Sequence, residues 1–432
     1  MQRVIFIFSL ICLILIQFVL QVIFGCEKSK DRPSLIKSNR FYYVSTKGND
    51  LNAGTFDQPW ATWQKAFLMA GPGDTVYIRG GIYKAKPHST YGVHVSGKRG
   101  TKALPICIFN YMNETPVLDC STITRLENNK GISLYDCKFY HLKGLTVTGV
   151  SQHNEDMEVF GFGFKKGGGH IIERCVAHSN DGPGFLGHSL DTMYILRCDA
   201  YDNFDKFTGG YSGGQADGFV FCFTSNISFT HLIDCRAWYN SDDGFDCWEN
   251  DGTVIFDNCW AFNNGRAQGD GGGFKLGRTI MPPLQQTQRF VRNCTASNNR
   301  YVGFLQNGAN VIMELYNNIA FENDKTGFSI AQFENVIVAR NNISYKNDWP
   351  AYFIKENNDH NTWNTNLDVK VSDSDFISID STGVSGKRQA DGSLPILDFL
   401  RLDEGSDLQD AGINVGLPYD GLAPDLGPYY KK

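Results

Sequence analysis

Five residues of this 432-residue chain have the types and spacing to do chemistry: Asp217, Asp242, Asp243, Asp246 and Lys275. They fall in Ala216-Asp217-Gly218-Phe219, Asp242-Asp243-Gly244-Phe245-Asp246 and Gly273-Phe274-Lys275. Aligned on the shared Gly-Phe pair, Asp217 lies beside Asp243, and Asp246 shares a slot with Lys275. Four carboxylates drawn together repel and raise one another's pKa unless a cation fills the centre. Calcium suits such a site, because it takes six to eight hard oxygen ligands in flexible geometry. The nine histidines show no metal-ligand spacing, which argues against zinc. Asp242-Asp243-Gly244 alone would read as a polar turn, and Asp217 in matching register is what demotes that reading. A lysine beside a bound cation loses hold of its own proton, so Lys275 becomes available as a base. Its glycine-rich setting, Gly271 to Gly273 and Gly277, is expected to leave room for close approach of a polymer.

These residues meet only if the chain stacks on itself, and the sequence carries a repeat that does this. Cys175, Cys198, Cys235, Cys259, Cys294, Asn318 and Asn342 are separated by 23, 37, 24, 35, 24 and 24 residues, a unit of about 24 with two insertions. Two positions after each anchor stands Ala177, Ala200, Ala237, Ala261, Ala296, Ala320 or Ser344; five after it stands Asn180, Asn203, Asn240, Asn264, Asn299, Asn323 or Asn347. Identical amides at a tight bend can hydrogen-bond from coil to coil at the ~4.8 Å strand spacing. Gly-Phe pairs at 184, 218, 244, 273, 303 and 327 then open the next strand, with the phenylalanines stacked inward. Short strands at this period, with Asn and Gly at the corners, predict an all-β, right-handed parallel β-helix solenoid.

Residues 41–365 form the β-helix, beginning with a cap of a strand, a turn and a helix within Trp60–Ala70; residues 366–432 lose the repeat and are expected to wrap the other end. Residues 1–25 read as a signal peptide: Arg3 precedes a long apolar run. Ile23-Phe24-Gly25-Cys26 resembles a lipoprotein cleavage box with Cys26 lipidated, and 26–40 is a polar tether; an uncleaved anchor or simple secretion are the alternatives, and all place the protein outside the cytoplasm. The expected membrane link is thus the N-terminal lipid alone. Twelve cysteines in an exported chain invite disulfides, but side chains stacked in parallel rarely reach the required torsion, so a thiol ladder is expected. A net charge of -6 argues against a nucleic-acid partner, and a monomer is expected.

The three site segments, with Tyr43-Val44-Ser45, Gly48-Asn49-Asp50, Gly73-Asp74 and Asp425-Leu426-Gly427, resemble polysaccharide lyase family nine over nearly all the mature chain. The resemblance implies that Asp217, Asp242, Asp243 and Asp246 bind Ca2+, and that Lys275 abstracts the proton in a β-elimination on a pectic polysaccharide. It leaves open polygalacturonate (pectate) or rhamnogalacturonan I as substrate, and endo or exo action. Arg266, Arg278, Arg300 and Lys325 fall on or near the same face and form a candidate track for substrate anions. The Cys247-Trp248 neighbourhood departs from the family pattern. Two rivals remain: a β-helix glycoside hydrolase, against which stand the missing Gly-His-Gly and Arg-Ile-Lys segments, and a non-catalytic glycan-binding solenoid whose aspartates hold structural calcium.

Overall fold

The computed structural model describes residues 40–154, 158–207, 212–280, 286–331, 337–353, 358–364 and 367–429. The signal peptide, Cys26 and nearly all of the tether lie outside them. Among the described residues the coils build three parallel sheets: a back sheet of twelve strands from Phe41–Val44 to Asn358–Asp359, a flank sheet of ten from Gly81–Lys84 to Ile343–Tyr345, and a site sheet of ten from Tyr91–Ser96 to Trp349–Phe353.

The repeat signals meet in one corner. The Asn180, Asn203, Asn240, Asn264, Asn299, Asn323 and Asn347 amides form an unbroken chain, each Nδ2 donating to the next Oδ1 at 2.9–3.0 Å. A methyl group at Gly244 would lie 2.7 Å from the Gly273 carbonyl oxygen, 2.9 Å from Ala261 Cβ and 3.0 Å from Asn264 Nδ2. Small Ala, Asn and Gly are therefore three sides of one packing constraint. Past the corner, Phe162, Phe185, Phe219, Phe245, Phe274, Phe304 and Phe328 stack inward with ring centroids 4.7–5.1 Å apart. The ten cysteines among the described residues are free and mostly buried. Their ladder passes into a second amide chain, with the Cys294 N–H donating to Asn318 Oδ1 and Asn318 joined through Asn342 to Asn361.

Helix α1 (Trp63–Met69) closes the N-terminal end, capped by Thr62, and buries Trp63, Ala66 and Phe67. Gln64 completes the closure: its side chain bonds both the N–H and the carbonyl of His94, on the edge strand of the site sheet. At the other end Trp363 packs on Phe328 and Phe353. Residues 367–429 do not form that end cover. They lie along the flank sheet, where Phe376, Val384, Leu394, Phe399, Leu400, Leu408 and Leu426 cluster with Trp238, Trp260, Phe262, Ile319, Phe321 and Ile343. The outward side of the flank sheet carries Trp238, Trp260, Phe262, Ile319 and Phe321, which this segment covers, whereas the site sheet has the cleft on its outer face.

Candidate functional site

The site grows from register. Phe219, Phe245 and Phe274 are aligned partners, so Val220, Asp246 and Lys275 occupy the next outward slot on successive strands. Asp217 and Asp243 sit two residues before their phenylalanines, and the Asp243 N–H donates to Asp217 Oδ1 at 3.1 Å. Carboxylate oxygens of Asp217, Asp242 and Asp243 all lie within 4.8 Å of one another. Lys275 Nζ stands 2.9 Å from Asp243 Oδ2 and 3.2 Å from Asp246 Oδ2. All five residues are buried, Asp243 completely.

Burial and mutual repulsion push the Asp217 and Asp242 carboxyls well above the usual range. Asp246 is pushed up by burial to about 7 against the opposing pull of Lys275. For Lys275 itself burial works toward a lower pKa, but Asp243, Asp246, Asp217 and Asp242 outweigh it and raise it. This is opposite to the lowering expected from sequence, because that expectation assumed a cation already among the aspartates. The residues suit such a cation: three hard oxygen donors converge, and Asp246 Oδ1 is buried with no hydrogen-bond partner.

Two of the glycines around Lys275 have close-packing roles, Gly272 against an acid and Gly277 against the next coil. The Gly272 N–H donates to Asp243 Oδ1 at 2.6 Å, and a methyl there would lie 2.9 Å from that oxygen. A methyl at Gly277 would lie 2.5 Å from the Ala309 nitrogen. Sequence reasoning missed Asp270, whose N–H donates to Asp242 at 2.8 Å and whose carboxylate is 3.9 Å from Lys275. Its one signal was position, immediately before the glycines, in the insertion that lengthens this coil.

Asp217, Asp242, Asp246 and Lys275 line one end of a cleft of about 590 Å³, together with Trp248, Gln268 and Asp270, with Asp243 buried beneath them. None of the four basic residues of the expected anion track lines this cleft. Arg278 stacks on the Trp248 ring and faces Glu249 at 3.8 Å. Arg266 is tied to Asp202 at 3.0 Å and to the Asn203 carbonyl. Arg300 donates to the Ala267 carbonyl, and Lys325 pairs with Asp348 at 3.6 Å.

A family model described as Pel9A-like, right handed beta helix region, matches residues 42–361. Pectate lyase L of Dickeya dadantii is 29% identical over 432 residues, covering 94% of each chain. The crystal structure of pectate lyase Pel9A superposes with a TM-score of 0.74 at 27% identity, covering 91% of this chain and 96% of that one. A rhamnogalacturonan lyase structure gives 0.73 at 25% identity, covering 84% and 97%.

Proposed function

Because this chain belongs to the Pel9A-like right-handed β-helix family and is a polysaccharide lyase, we propose that it is exported and cleaves pectate by calcium-dependent β-elimination, with Lys275 as base and Asp217, Asp242, Asp243 and Asp246 as the calcium ligands. The observation that carries this reading is an amine held against buried carboxylates at the end of an open cleft. When bound, calcium supplies positive charge that offsets the aspartates' hold on the Lys275 proton and draws electron density from a uronate carboxylate.

The chain's own residues do the rest. Asp243 and Asp246 fix the lysine amine at the outward slot of its strand, and the neutral amine takes the proton from C-5 of a galacturonate. The electron pair of that C–H bond forms the C-4–C-5 double bond, the C-4–oxygen bond breaks, and the leaving oxygen is protonated from solvent. Regenerated ammonium returns to the carboxylates. The likeness to a rhamnogalacturonan lyase supports a second reading, the same elimination on rhamnogalacturonan I.

The deciding experiment incubates the mature protein with each polymer plus calcium and follows ultraviolet absorbance of the unsaturated uronate. Chain shortening without that absorbance would mean a hydrolase; no shortening of either polymer would leave a binding protein.

A further inference from the structure

Behind the end of the cleft remote from Lys275 stand a buried lysine, Lys130, and a half-buried one, Lys165, to which the elimination assigns nothing. Lys130 and Lys165 both face one carboxylate, Glu158, at 3.7 Å from Lys130 and in direct contact with Lys165. Glu158 is the cleft wall at this point, with the lysines behind it. Lys130 is 10% exposed and Lys165 19%, against 42% for Glu158. Two ammonium groups sharing one carboxylate leave an excess positive charge. Its effect is felt nearby: burial and then Lys130 lower the pKa of His94, and burial and then Lys165 lower that of His188.

Between this pair and the aspartates lies an apolar floor on the outer face of the site sheet. Leu186, Val220, Cys222 and Trp248 line it there, with Phe160 fully buried in the same cluster. Phe160 turns its ring onto the outer face over Gly163, where a methyl would lie 2.0 Å from it. Gly163, Leu186, Val220, Asp246 and Lys275 are successive partners in register. The coil of Lys165 is thus four strand spacings from that of Lys275, ~19 Å at ~4.8 Å each.

We infer that Lys130 and Lys165 form a second carboxylate-binding position for the polymer, reached across the apolar floor, in which a uronate carboxylate takes the place that Glu158 holds. This rests on the reading of the substrate as a polyuronate. Glu158 is the internal stand-in for the ligand: a carboxylate already seated on both ammonium groups, exposed enough to be displaced. The apolar floor carries sugar-ring faces between the two charged ends, so a long oligomer spans both and a short one at Lys275 cannot.

The test compares short and long galacturonate oligomers on the calcium-loaded enzyme. Wild type binds the long oligomer more tightly, and in Lys165→Met that gain shrinks about tenfold, the scale of one charge-assisted hydrogen bond. Lys165→Arg restores it in part. Glu158→Gln removes the competing carboxylate and leaves both lysines, so KM for the long oligomer falls a few-fold. A length dependence unchanged in Lys165→Met, or a rise in KM in Glu158→Gln, overturns the inference. Calorimetric titration of the same oligomers reads the lysine pair without turnover. A wild type that yields no unsaturated product therefore counts against the catalytic reading alone, while equal affinities of wild type and variants count against the lysine position.

Discussion

Lys275 has two jobs that pull in opposite directions. It is the counter-ion that lets four aspartates share a buried corner, and it is the group whose neutral form must take a proton. Lys275→Ala separates them. Loss of a positioned general base lowers the rate of unsaturated-product formation by ~10²–10⁴-fold. Calcium affinity rises, because the ammonium no longer competes for Asp243 and Asp246. Initial rates and calcium titrations on one preparation check both, and activity within a few-fold of wild type would remove the lysine from the chemistry. The acids give a pH signature with a definite sign. Folding raises the Asp246 carboxyl from its ordinary value near ~4 to about 7. Between those values the folded state binds more protons than the unfolded, so stability of the chelated protein falls as pH rises from about 4 to about 7. Burial and repulsion raise Asp217 and Asp242 in the same direction. Thermal unfolding in chelator should show this decline, Asp246→Asn should flatten it, and calcium should remove most of it; stability that climbs over this range would mean the carboxylates are not held together as described. The acid–lysine cluster was legible in the sequence because register alone brings it together. Asp270 was not, because a residue in an insertion has no register to be aligned by.

A single coil corner shows why the architecture could be read before it was seen. Asn264 donates to the Asn299 side chain and to the Ala237 carbonyl, and accepts from the Asn240 side chain and backbone. The coils of Asn203, Asn240, Asn299 and Asn323 repeat that arrangement, so the constraint is printed in the sequence at a nearly fixed period. The signal starts one coil earlier than the repeat first suggests: Gly161-Phe162 stands 23 residues before Gly184-Phe185, and Phe162 joins the stack. Asn264→Ala leaves the Asn240 side-chain amide hydrogen and the Asn240 backbone N–H without their acceptor, both buried, at roughly 1–3 kcal/mol for each orphaned group, while Asn299 Oδ1 keeps the bond from the backbone N–H of residue 264. Asn264 is in the coil that precedes the Lys275 strand, so the damage reaches the site. The expected outcome is a lower unfolding temperature and a fall in kcat larger than the change in KM. Retention of both would show that neighbouring coils hold this corner without its amide.

At the scale of the whole molecule, the three sheets face three different surroundings, and this explains what the sequence concealed. The repeat specifies which residues point outward, but not which outward face will be covered. On the flank sheet the outward stack of Tyr201, Trp238 and Phe262 lies beneath residues 367–429, whose own sequence has no period from which to place it. What fastens that segment is a buried ion cluster. Asp199 accepts from Arg236 of the next coil at 2.9 Å and from Arg388 of the C-terminal segment at 2.6 Å, while Arg236 also donates to the Val384 and Gly386 carbonyls. Despite its burial, Asp199 is held below the usual carboxylate range by the two guanidiniums. Asp199→Ala would leave both guanidiniums buried without their shared carboxylate, and breaking such a cluster by removing one partner costs about 3–5 kcal/mol. Because the flank and site sheets are different faces, the loss should be local to the C-terminal segment. Limited proteolysis should cut the variant within residues 384–392 before any site in the coils, and the unfolding temperature should drop, while calcium affinity stays at the wild-type value. A variant cut first within the coils, or one that loses calcium binding along with the segment, would show that the flank cover and the acid site are coupled through the core.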